Sequence, residues 1–165
     1  MESKLFGTRL YVSLSKLAHN VNFLKSYCNI SSIIAMVKAN AYGHGDIFIA
    51  EKLQNLGVSS FGVADFDEGL RLRNHGIEGS IMVMNPGVYN LQIILENNLQ
   101  PVIYNDEILS MLTQLIQNEK LPKILFKDTI YIHIKINTGM NRWGFDVSNL
   151  PKVISKLEKL KRVKI

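Results

Sequence analysis

Five times in succession, a short apolar run of strand length gives way to a stretch with helical spacing. The runs are "IIAMV" (33–37), "SFGVA" (60–64), "SIMVM" (80–84), "PVIY" (101–104) and "TIYIHIKI" (129–136). Between and after them lie the helical stretches 46–57, 65–76, 88–98, 105–119 and a basic segment entered at Pro151, where the missing N–H of proline costs little. Strands of this length alternating with helices imply a parallel sheet with right-handed crossovers. The expected class is therefore α/β. Repeats of this size fit an open doubly wound sheet and a (β/α)8 barrel alike. A whole barrel takes about 250 residues, so 165 residues make up an incomplete one, and "VKI" at 163–165 reads as a strand just begun.

Local signals fix the ends of these elements. "LYVSL" (10–14) reads as a further short strand. Ser15 is the expected N-cap of a helix with Leu17, Val21, Leu24 and Cys28 on one face. Asp46 opens the next helix and Gly57 stops it. Asp65 and Glu68 stand at capping-box spacing, with Asp in the serine or threonine place. Asn105 or Asp106 begins the helix after "PVIY", and 118–128 form a longer polar connection.

Charge excludes some classes of function. The net charge is +5, but residues 152–164 carry six basic side chains and one acidic one, and the rest of the chain balances. A nucleic-acid surface spread over the molecule is excluded. Val153, Ile154, Leu157 and Leu160 are at helical spacing, so the segment is expected as an amphipathic helix with a solvated lysine face. No run reaches the roughly 18 apolar residues of a membrane span. Cys28 is the only cysteine, which excludes an internal disulfide and cysteine-pair zinc sites, and suits a reducing cytoplasm. There is no P-loop, no G-x-G-x-x-G after a strand and no G-x-S-x-G elbow.

The polar residues gather where the strands end. Lys38 follows the run 33–37 directly; Met84, Tyr104 and Asn137 stand in the same place after theirs. In β-α barrels that end of the strands carries the chemistry. Two readings of Lys38 stand open: a strand-end lysine that snorkels to water, or a desolvated amine fit to condense with a carbonyl. Lys135 shares a face with Tyr131 and His133, opposite Ile130, Ile132, Ile134 and Ile136. It lies either on the wet face of an edge strand or inside a barrel, where an ammonium must be paired, neutralised or modified. Arg142, in a loop with Gly139 and Gly144, is either a carboxylate clamp or an exposed turn residue. His44, between Gly43 and Gly45, reads as a turn histidine.

Two of these segments together resemble one family. "AMVKANAYGHG" (35–45) is similar to the pyridoxal-phosphate attachment motif of the fold-type III alanine racemases. "KINTGMNRWGF" (135–145) is similar to that family's second motif, a hundred residues further on and in the same order. The resemblance implies a partial (β/α)8 barrel over 1–165, the N-terminal portion of the cofactor-binding domain, with the rest of the barrel and a C-terminal β domain not in the chain. It implies pyridoxal 5′-phosphate as cofactor, racemisation of L- and D-alanine in a longer enzyme, a role in supplying peptidoglycan with D-alanine, and a cytoplasmic homodimer.

For individual residues, the resemblance implies that Lys38 carries the cofactor and acts as base on one face of the substrate. Tyr42 is implied near the cofactor phosphate and Met84 against the cofactor. Arg142 is implied at the cofactor's phenolic oxygen and at the substrate carboxylate, and Met140 beside the partner subunit's substrate. Lys135 matches a lysine that is often carbamylated, a change that would make it an anion able to hold Arg142. Asn137 departs from the family's aspartate. The opposite-face base, a tyrosine, would lie outside these residues, so this polypeptide alone is expected to be inactive. The competing expectations are a racemase of another amino acid such as serine, a non-catalytic pyridoxal-phosphate barrel, a Schiff-base aldolase barrel and an inert structural fragment.

Overall fold

The computed structural model describes residues 7–117, 129–160 and 162–165. Helix α1 (Leu14–Tyr27) leads to strand β1 (Ile34–Met36), a single turn α2 (Lys38–Tyr42) and helix α3 (Asp46–Asn55). Then come β2 (Ser60–Val63), α4 (Phe66–Asn74), β3 (Ser80–Val83), α5 (Leu91–Glu96), β4 (Gln100–Ile103) and α6 (Asp106–Gln117). The short strands β5 (Ile130–Tyr131) and β6 (His133–Ile134), helix α7 (Leu150–Glu158) and β7 (Val163–Lys164) complete the order. The expected polar connection 118–128 lies outside the described residues.

Strand order decides between the two architectures that the alternation allowed. The main sheet is parallel and runs β1-β2-β3-β4-β6, each strand beside its predecessor. A doubly wound sheet reverses direction at a switch point; this one never does. Every crossover therefore winds the same way, as in a barrel, and the fold is a partial (β/α)8 barrel. The run 129–136 is not one strand. Its second part, β6, bonds back to β4, while its first part, β5, bonds on to β7. Ile132 between them is 1% exposed and donates its N–H to Lys164 O. This stagger is what tilted strands require when a sheet curves towards closure.

The two faces of the sheet differ as a barrel demands. Phe61, Val63, Ile81 and Val83 are fully buried, in one core with Ile49, Ala50, Leu53 and Leu72 of α3 and α4. The alternate positions face inward and mix small, polar and methionine side chains: Ser60, Gly62, Ser80 and Met82. Ser80 Oγ meets Ser60 Oγ at 2.9 Å, and His133 Nε2 meets Gln100 Oε1 at 2.9 Å. A Cβ on Gly62 would lie 2.4 Å from Met36 Sδ, so glycine makes room for a methionine inside. A second core joins Ile103, Ile108, Leu109, Leu112 and Ile132 to Val153 and Leu157 of α7. The basic segment forms an amphipathic helix only as far as Glu158; Leu160 is buried just past its end, and Ile154 is 40% exposed rather than part of the buried stripe. Among the described residues, no helix is long and apolar enough to cross a membrane.

Several expectations need correction. Residues 10–13 are not a strand, and α1 already begins at Leu14. A strand exists only against a partner, and among the described residues none runs beside them; Leu10 and Tyr11 stay exposed. Ser13, not Ser15, caps α1, its Oγ accepting from Lys16 N. On that helix Val21 is buried, but Leu24 and Cys28 are exposed. Helix α5 is shorter than 88–98, because Asn98 takes a left-handed φ of 52° at its end.

At the opposite end of the sheet from Lys38, one arginine ties two connections together. The Arg73 guanidinium donates to Ile77 O (2.5 Å), Gly79 O (3.0 Å) and Asn98 O (2.8 Å). Burial lowers its pKa from the ordinary arginine value. Arg73→Ala should reduce unfolding free energy by about 2 kcal/mol, because it strands three carbonyls. Urea denaturation with an unchanged slope measures this; a loss close to zero contradicts the clamp.

His133 supplies a second test. Burial lowers its pKa, so the fold favours neutral imidazole while the unfolded chain takes up the proton. Its contribution to stability is complete above the ordinary histidine value of about 6.5 and is lost as pH falls through the depressed folded value. His133→Gln should flatten the pH dependence of the urea midpoint in that acidic window. An unchanged slope contradicts the burial.

Candidate functional site

The stretch "KANAYGHGD" sits at the C-terminal end of β1 in an unusual conformation. Ala39, Asn40, Ala41 and Tyr42 all have φ between 51° and 55°, and Gly43 has φ 85°. This is one turn of left-handed helix, closed by Ala41 N donating to Val37 O and Gly43 N donating to Ala39 O. Each non-glycine residue there costs about 1–2 kcal/mol, so the surroundings must impose the turn.

Five side chains do so. Glu68 accepts from Ala39 N at 2.6 Å through one carboxylate oxygen and from Ala64 N at 2.7 Å through the other. Asn40 Oδ1 accepts from Asp46 N at 3.0 Å. Buried Asp46 holds Arg71, whose Nε donates to Asp46 Oδ2 at 2.9 Å. His44 Nδ1 donates to Ala41 O at 2.9 Å, the turn role its sequence suggested. The expected capping box is half formed. Asp65 caps α4 through Glu68 N, but Glu68 does not reach back to Asp65; it is committed to Ala39 and Ala64.

The second segment is a folded-back loop. Lys135 N donates to Ile103 O, and Phe145 N returns to donate to Lys135 O. Asn137 Oδ1 accepts from Asn141 N at 3.1 Å and from Gly139 N at 3.4 Å, while Asn137 Nδ2 donates to Asn141 Oδ1. The amide in the aspartate's place thus organises the loop from within. Gly144 has φ 130°, and a Cβ there would stand 2.6 Å from Asn137 N. Only glycine allows the chain to press back so closely.

The two segments meet. A cavity of about 250 Å³ at the C-terminal ends of the strands is lined by Lys38, Ala64, Met84, Asn85, Lys135, Arg142 and Trp143. Of the residues singled out in the sequence, Lys38, Met84, Lys135 and Arg142 line it. Tyr42 and Met140 do not: Tyr42 is 61% exposed with its ring centroid 5.9 Å from Lys38 Nζ, and Met140 is 76% exposed. Lys135 follows β6, the last strand of the main sheet, and is half-buried where it lines this cavity.

Three wall residues escaped the sequence reading: Ala64, Asn85 and Trp143. Trp143 stacks flat on Tyr104 at 4.9 Å, and Tyr104 Oη donates to Asn85 Oδ1 at 2.8 Å. Burial first, and Glu107 second, raise the Tyr104 pKa. Asn85 lies one residue past a strand end, a position that strand-end logic could have flagged. Nothing in the spacing marked Trp143.

Three cationic side chains line this cavity and no carboxylate does, so its charge suits an anionic ligand carrying phosphate or carboxylate. Among the described residues, no cluster of three or more metal-ligating side chains occurs.

The chain is similar to known proteins in both sequence and fold. Residues 12–165 match the family model described as alanine racemase, N-terminal domain. The alanine racemase of Haemophilus influenzae is 36% identical over 155 residues, covering 92% of this chain and 40% of that enzyme. Alanine racemase from Acinetobacter baumannii superposes with a TM-score of 0.77 at 29% identity, over 92% of this chain and 43% of that one. Histidine racemase from Leuconostoc mesenteroides gives 0.79 at 25% identity, over 92% and 40%. The chain spans less than half the length of the relatives it matches. With a family match across nearly all its residues, the chain belongs to the alanine racemase N-terminal domain family.

Proposed function

We propose that this chain, as the N-terminal portion of the barrel domain, builds the pyridoxal-phosphate side of an amino-acid racemase active site, with alanine as substrate. The observation that carries the reading is the cavity itself. It puts an amine at the end of β1 beside Arg142 and Lys135, with no carboxylate in its lining. These residues suit an anionic aldehyde cofactor: Lys38 offers the amine for covalent attachment, and the Arg142 guanidinium balances charge.

When bound, pyridoxal phosphate supplies an electron sink that acidifies the Cα–H of an attached amino acid. The chain's own residues do the rest. Lys38 Nζ takes or returns the proton on one face of Cα. Arg142 would offer its fork of donors to the cofactor's phenolic oxygen and to the substrate carboxylate. Met84 would pack against the cofactor, and Tyr42 would lie near its phosphate. Lys135, carbamylated, becomes an anion that orients Arg142. Met140, exposed here, faces the substrate of the partner subunit in a homodimer.

Inversion at Cα needs a base on each face. Lys38 is one; the second belongs to a longer protein, so the 165 residues alone hold cofactor without racemising. In the longer enzyme the product would be D-alanine for peptidoglycan, made in the cytoplasm. A second reading, racemisation of a different amino acid, draws on the likeness to histidine racemase; the substrate side chain is then set by residues outside this cavity.

Trp143 is the only tryptophan in the chain and lines the cavity, so its fluorescence reports on occupancy. Adding pyridoxal phosphate to the folded protein should quench it, and Lys38→Ala should abolish the slow covalent phase of that quench. A wild-type response equal to that of Lys38→Ala contradicts the assignment. In the longer enzyme, Lys38→Ala should remove measurable alanine racemisation by chiral chromatography, while a substrate panel separates alanine from the second reading. Normal turnover in that variant sinks the proposal.

A further inference from the structure

We infer that Glu68 is a positioning residue for Lys38: it sets the direction in which β1 delivers the lysine amine to the cavity. The inference rests on the assignment of Lys38 as the cofactor lysine and goes beyond it to a residue on another element.

The argument begins with the backbone on either side of Lys38. Before it, Val37 N donates to Gly62 O at 2.9 Å, the last sheet-like bond between β1 and β2. After it, the chain leaves the sheet for the left-handed turn. Ala39 N belongs to the Lys38–Ala39 peptide, so whatever holds that N–H fixes ψ of Lys38 and with it the Cα–Cβ direction. Its partner is not a carbonyl of β2 but Glu68 Oε1 at 2.6 Å. Glu68 Oε2 accepts from Ala64 N at 2.7 Å, and Ala64 itself lines the cavity opposite β1. One carboxylate thus spans the two strand ends on which the cavity rests.

Charge makes this bridge stronger than a peptide pairing would be, because a carboxylate accepting from N–H groups forms bonds about twice as strong as neutral ones. That strength is needed here. The turn has four consecutive non-glycine residues at positive φ, and without an imposed anchor the peptide after Lys38 relaxes towards ordinary right-handed or extended geometry. The α4 cap is a separate contact: Asp65 Oδ1 accepts from the Glu68 backbone N at 3.5 Å and makes no bond to Ala39 or Ala64. Glu68 does not line the cavity, so it acts through Lys38.

The test compares Glu68→Gln, Glu68→Ala and Asp65→Ala in the intact protein. Gln keeps the size but turns an amide NH2 towards one of the two N–H donors. Asp65→Ala loosens the same helix end without touching the bridge. Two quantities are read. Hydrogen exchange at Ala39 and Ala64 needs no cofactor. The rate of the covalent phase with pyridoxal phosphate, followed at Trp143, reports on Lys38.

Glu68→Gln should exchange both amides faster and slow the covalent phase by about tenfold, the scale of one charge-assisted hydrogen bond, with Glu68→Ala slower still. Asp65→Ala should lower the melting temperature while leaving the covalent rate within about twofold of wild type. A Glu68→Gln protein with fast exchange and a wild-type covalent rate overturns the inference, since the bridge would then be structural only. Unchanged exchange at Ala39 overturns it directly. A wild type with no covalent phase at all refutes the cofactor reading; the exchange result then decides separately whether the bridge exists.

Discussion

A left-handed turn of non-glycine residues is costly, and the chain places one where its key lysine leaves the sheet. The sequence "KANAYGHGD" is legible residue by residue once that turn is seen. Asn40 tolerates positive φ and uses its side chain on Asp46 N. The alanines are small enough to pack in the turn, and Ala41 is buried. His44 ties the end of the turn back to Ala41. Gly43 and Gly45, with φ of 85° and 93°, let the chain turn into α3. Asp46, buried at the start of that helix, is held by Arg71 from α4. Helix α4 therefore grips the turn twice, through Arg71 and through Glu68, and this coupling locks the amine's origin to the neighbouring β-α unit.

The barrel architecture gives that amine its company. Because the strands follow one another in order, their C-terminal ends converge on one rim. Lys38, Ala64 and Met84 come from the ends of β1, β2 and β3, and Lys135 follows β6. The loop after Lys135 doubles back through Gly144 and brings Arg142 and Trp143 to the same place. A cavity rich in cations and free of acids in its lining would repel itself without an anionic occupant. Its charge therefore points to the chemical class of the ligand more directly than its size does.

Much of this could be read before the structure was known. Five strands and the helices after them were visible in the alternation of apolar runs, since burial on both faces leaves little room for other residues. The choice of barrel over open sheet came from the resemblance of the two motifs and not from the alternation, because strand order depends on long-range pairing that local spacing does not record. Residues 10–13 misled because apolar alternation looks the same whether or not a partner strand exists. Lys38, Met84, Lys135 and Arg142 were found through strand ends and motif resemblance. Glu68 was seen only as half of a capping box: its spacing to Asp65 is local, whereas its partner at Ala39 lies 29 residues away. Trp143 enters through side-chain packing, which no periodicity encodes.

The central claim is that the amine of Lys38, and no other lysine, is presented for condensation with an anionic aldehyde. Incubating the folded protein with pyridoxal phosphate at low molar excess, reducing with borohydride and mapping peptides by mass spectrometry tests it most directly. The account predicts a single pyridoxyl group, on the peptide containing Lys38. Label spread over the surface lysines of α7, or a folded protein with an unlabelled Lys38, would contradict it.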